Sequence, residues 1–173
     1  MLPIGSIGCG SAVPPCRQSG FNLAEARTIM SVWGITGSPL TWGGVPEEQY
    51  SNATTIALLG NTGILAMHEA AAEGEGGLLG GARRSIAEPI AERTDGAAWH
   101  LSAVNVSAGS SGSTAAFVLQ SDASTTEDAP FAWFVLASQA SEDTTVSASW
   151  EQLGLNLKPD ACVQVSDLWA QGP

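Results

Sequence analysis

Side chains able to do chemistry are sparse in this sequence, and few are spaced for joint work. Cys9 and Cys16 share one Gly/Pro-rich loop, and Cys162 lies far from both; three cysteines leave one unpaired in any disulfide scheme. Cys9 and Cys16 can close a small ring or stay as free thiols. His68 and His100 each stand without a Cys or His at ligand spacing, so no metal is expected. No motif asks for a cofactor. Glu25, Glu47, Glu48, Glu69, Glu73, Glu75 and Asp95 fall at helix starts, in loops or at sheet turns, where a cap or a solvated charge is the ordinary role. The stretch EGEGGLLGGARR is Gly-rich but lacks the Lys-Ser/Thr ending of a phosphate loop and carries acids. It reads as a flexible linker. Asn52-Ala53-Thr54 and Asn105-Val106-Ser107 are glycosylation sequons, which matter only if the chain passes through a secretory compartment.

Charge narrows the partners. Six Lys and Arg against 17 Asp and Glu give 6 − 17 = −11. Nucleic-acid backbones and anionic lipid surfaces both require clustered cations, so neither partner is expected. The most apolar run, IALLGNTGILAM, is broken by Gly60, Asn61 and Thr62 and is too short to span a bilayer. No cleavable leader is expected before Arg17. With 44% apolar and 13% charged residues, the chain can build a core.

The elements that must position these groups change character along the chain. Residues 1–20 are loop-like. In NLAEARTIMSVWG, Asn22 and Glu25 form a capping-box pattern, and Ile29, Val32 and Trp33 supply an apolar face. Gly34 and Gly37 are expected to end that helix. Leu40, Thr41 and Trp42 suggest a short buried strand, since Pro39 forbids more helix. A helix is expected over 52–59 with Ile56 and Leu59 inward, and further helical turns over 61–73. Strands are expected in 96–106, 113–121, 130–138 and 144–150, the third central because both its faces are apolar. In the last, Val146, Ala148 and Trp150 share a face. Trp33 and Trp150 read as core residues.

Several phrases in order resemble one family. SWEQLGLNLKPDACVQVSDLWAQG is similar to the end of the β-domain in glycoside hydrolase family 27, the α-galactosidases. The match rests on Trp150, Glu151, Leu153, Gly154 and Leu155, then Asp167, Leu168 and Trp169. PFAWFVLASQASEDTTVSASW looks like the hairpin before it. LAEARTIMSVWGITGSPLTWGG resembles the family's last helix-and-strand unit of the barrel, and IALLGNTGILAMHE the segment that follows. The resemblance covers roughly residues 1–59 and 130–170. Gly43-Gly44-Val45, Met67-His68-Glu69 and Ser166 depart from the family pattern.

The resemblance implies a fold and a site. The fold would be the last β/α units of a TIM-type (β/α)8 barrel followed by an all-β antiparallel domain. Residues 1–73 would be barrel, 74–84 a Gly-rich linker, and 85–173 an antiparallel β-sandwich lacking its last strand. Within the barrel part, 1–5 would end strand seven, 22–34 would be its helix, 38–43 strand eight and 52–66 the last helix. Family members are retaining glycosidases using two carboxylates about 5 Å apart. Their catalytic aspartates have no counterpart in this chain and are expected upstream of Met1. MLPIG matches a sugar-pocket loop from its Met onward, so Met1 and Trp42 are the substrate-contacting candidates, for an α-galactoside sugar. Exposed barrel and sheet edges would offer surfaces for association. A full-length relative would be secreted, lysosomal or vacuolar.

Two functions of different class follow. One is an α-galactosidase-like hydrolase sequence that is inert by itself. The other is a non-catalytic β-sandwich module that binds carbohydrate or a protein partner.

Overall fold

The computed structural model describes residues 2–7, 17–43, 52–73, 99–104, 106–108, 114–121, 132–140, 142, 144–155, 157–158 and 160–170. Strand β1 (Ser6–Ile7) pairs antiparallel with β2 (Arg17–Gln18). Helix α1 (Leu23–Ile35) follows, then α2 (Ala53–Leu59) and α3 (Thr62–Glu73). The second half holds β3 (Trp99–Val104), β4 (Ser107–Ala108), β5 (Thr114–Ser121), β6 (Ala132–Ser138) and β7 (Val146–Ser147). Strands β3, β5 and β6 form one antiparallel sheet in that order, and β4 pairs with β7.

Each described helix starts on an asparagine, and the reason is the same each time. The first N–H groups of a helix have no partner inside it. At α1, Asn22 Oδ1 accepts from the Glu25 N–H at 3.0 Å, and Glu25 Oε2 accepts from the Asn22 N–H at 2.7 Å. This is the capping box that the sequence pattern announces. Asn52 Oδ1 does the same for the Thr55 N–H, and Asn61 Oδ1 for the Ile64 N–H.

The inward face of α1 is set by small residues. Ala26, Met30, Ser31, Gly34 and Ile35 are buried, while Ile29, Val32 and Trp33 are half-buried around them. The expected face is therefore shifted round the helix. Gly34 explains the shift: a Cβ there would lie 3.0 Å from Met67 Cε and 3.1 Å from Ile64 Cγ2. Helix α3 comes closest where α1 has no side chain, which draws the flanking Met30 and Ile35 inside. The α1 helix also runs through Gly34 to Ile35 and ends there, with Gly37 at φ 61° just beyond. On α2, Thr55 and Leu58 are buried and Ile56 is exposed, so the expected Ile56 face is corrected as well.

Both faces of the three-stranded sheet are covered. Cross-strand rows Leu101–Leu119–Trp133 and Phe117–Val135 belong to the same apolar cluster as Leu2, Ile4, Met30, Ile64 and Met67. Alternation along β5 sends Ala116, Val118 and Gln120 to the other face. There Gln120 Nε2 donates to the Leu153 carbonyl at 2.9 Å, and Leu153 is itself buried. The turn over residues 149–155 thus lies on this second face.

This arrangement overturns the expected fold class. Among the described residues no barrel of β/α units is present, because β1 and β2 are antiparallel and the helices pack on an antiparallel sheet. Residues 2 and 42 form one isolated parallel bridge, with the Leu2 N–H donating to the Thr41 carbonyl at 2.7 Å. Helices α1 and α3 cover one face of the three-stranded sheet. Strand β5 is the central strand, not β6, and Trp150 is exposed. The expected linker, 74–84, lies outside the described residues.

Two substitutions check this packing by urea denaturation. Gly34→Leu should cost about 2–3 kcal/mol by forcing α1 and α3 apart. Asn22→Ala should cost about 1 kcal/mol through the lost cap alone.

Candidate functional site

A cavity of about 370 Å³ opens between the start of α1, the α2–α3 corner and the C-terminal pair Leu168–Trp169. Its position follows from the corner. Helix α2 stops at Gly60, and Asn61 starts α3 at once, so the two helices diverge around a short gap. Asn61 also turns outward: its Nδ2 donates to the Leu168 carbonyl at 2.8 Å. Trp169 Nε1 donates to the buried Ser31 Oγ at 2.9 Å, and Asp167 Oδ1 accepts from the Trp169 N–H at 2.8 Å. Leu168 meanwhile presses on Gly63, where a Cβ would lie 2.8 Å from Leu168 Cδ2. The Asp-Leu-Trp phrase is thereby fastened to α1 and to the α2–α3 corner and closes one side of the cavity.

The charge in the cavity comes from Arg27. It sits one helical turn after Leu23 on α1, half-buried, with its guanidinium carbon 5.5 Å from the centre of the Trp169 ring. That distance is within cation–π range. Its Nε is buried without a hydrogen-bond partner, and among the described residues no Asp or Glu lines the cavity.

The residues singled out from the sequence lie elsewhere. Met1, Cys9, Cys16 and Asn105 are outside the described residues. Trp42 is half-buried beside Leu2, and its Nε1 donates to the Ile4 carbonyl at 3.2 Å, so its polar edge ties two loops together. Asn52 is exposed and caps α2 through Oδ1. His68 Nε2 lies 3.0 Å from the Ser38 carbonyl, a bridge between α3 and the loop after α1. The backbone of His100 pairs with Gln120 in the β3–β5 ladder. Cys162 is an exposed free thiol. Among the described residues no three His, Cys, Asp or Glu come together to hold a metal, and no helix is long and apolar enough to cross a membrane.

Sequence reasoning did not single out Arg27 or Asn61, and took Leu168 and Trp169 only as marks of kinship. A partial signal existed, because Leu23 and Arg27 are i, i+4 neighbours on one helical face. What meets that face comes from about 140 residues later, and no local pattern reports it. Compared with family models, with curated proteins and with solved structures, the chain matches none.

Two variants separate the roles of Asn61. Asn61→Asp keeps an oxygen for the cap and loses only the donor to Leu168, at about 1–2 kcal/mol. Asn61→Ala loses both, adding about 1 kcal/mol. Urea midpoints give the two costs, and Trp169 emission should shift to longer wavelength in both variants.

Proposed function

We propose that this chain is a relative of the family 27 α-galactosidases that does not itself hydrolyse a glycosidic bond. Support for kinship comes from the order of the phrases MLPIG, SPLTWGG, IALLGN, WEQLGL and DLW along the chain. Two pairs of these phrases also meet in space. Leu2 bridges Trp42, and Leu168 and Trp169 dock where IALLGN ends.

The observation that carries the absence of hydrolysis is the placement of carboxylates. A retaining glycosidase needs two of them about 5 Å apart, one on each side of the scissile bond. Among the described residues, Glu25, Glu69, Glu142, Glu151, Asp160 and Asp167 are all exposed. Glu25 and Asp167 are occupied with backbone N–H groups of their own segments. The cavity offers a cation and apolar walls instead. Among the described residues, neither a carboxylate nucleophile nor a carboxylic acid is positioned there.

Purified chain incubated with 4-nitrophenyl α-galactoside should release nitrophenol no faster than buffer. Release above that blank, proportional to protein and resistant to further purification, would overturn the reading. Retention on immobilised galactose without release would move the assignment to a carbohydrate-binding module.

A further inference from the structure

The cavity beside Trp169 contains a charge that the protein leaves unmatched. Arg27 is half-buried, its Nε is enclosed without a partner, and among the described residues no carboxylate lines the cavity. Enclosing a guanidinium without a counter-charge is unfavourable. Its planar fork of N–H donors fits a carboxylate bidentately. The surrounding walls are largely apolar, with Leu58, Leu168 and the Trp169 ring among them. A volume of about 370 Å³ lies within the range of small-molecule sites.

We propose that this cavity binds a small amphipathic carboxylate. Its carboxylate pairs with Arg27, and its aromatic or aliphatic body lies against Leu58, Leu168 and Trp169. A neutral polyol fits less well, because it needs several free polar partners. The Asn61 side chain is already engaged on both its atoms, Nδ2 with the Leu168 carbonyl and Oδ1 with the Ile64 N–H. A dianion fits less well too, since a single guanidinium faces it in a chain of net charge −11. The inference does not depend on kinship with the α-galactosidases.

Calorimetric titration of the whole chain tests it with two acids, 2-naphthoate and octanoate, each beside its neutral alcohol. At least one acid should bind at least tenfold more tightly than its alcohol. Arg27→Gln should remove that preference by weakening the acid tenfold or more and leaving the alcohol nearly unchanged, as expected for loss of a charge-assisted hydrogen bond. Ala57→Phe, which fills the cavity from α2 and keeps Arg27, should abolish binding of both. Should Arg27→Gln fail to fold, the acid-over-alcohol preference and the Ala57→Phe result decide the matter. Failure of both acids to bind, equal binding of acid and alcohol, or acid binding that survives Ala57→Phe would overturn the proposal.

Discussion

The hydrogen bond from Asn61 Nδ2 to the Leu168 carbonyl joins residues 107 apart in the chain, and much of the architecture hangs on it. The same amide caps α3 through its oxygen. One side chain therefore starts a helix and holds the segment that closes over it. Trp169 then reaches Ser31 and lies under Arg27, which carries the tie on to α1. Partners so distant in sequence are costly to bring together, since loop closure must be overcome first. Several polar contacts clustered with the burial of Leu168 and Trp169 offset that cost at one place.

The segment from 149 to 170 links the two sides of the molecule. Its first part covers the face of the sheet that carries Val118 and Gln120, held by the Gln120–Leu153 hydrogen bond. Its last part docks on the helices that cover the opposite face. The sheet is thus enclosed between helices and a turn, so both of its faces bury apolar residues. This explains why Val118 and Leu119, adjacent on β5 and pointing opposite ways, are both almost fully buried.

How much of this was legible depended on distance along the chain. The capping box at Asn22 and the positions of the three described helices were readable, because caps and apolar periodicity are local. So were β3, β5 and β6, each inside its expected span. Strand order was not: the double-sided apolar pattern of PFAWFVLAS pointed to a central strand. In the fold, β6 lies beside β5 and its inward row packs on α1. The inward face of α1 was misplaced because a glycine at a close contact leaves no hydrophobic mark. The barrel expectation failed because order of phrases does not dictate pairing: among the described residues the parallel contact is the single Leu2–Trp42 bridge. In the sequence Asn52 reads as part of a sequon and Asn61 as a break in an apolar run, and their capping roles emerge only from geometry. Arg27 gained significance from Trp169, which a local reading could not bring near it.

The most direct test of this account is the proximity of Leu168 to Gly63. In a nuclear Overhauser spectrum of the isotope-labelled chain, the Leu168 methyl groups should give strong cross-peaks to the Gly63 α-protons, and the Trp169 indole N–H a cross-peak to Ser31. Random-coil shifts for residues 167–169 with neither cross-peak would contradict it.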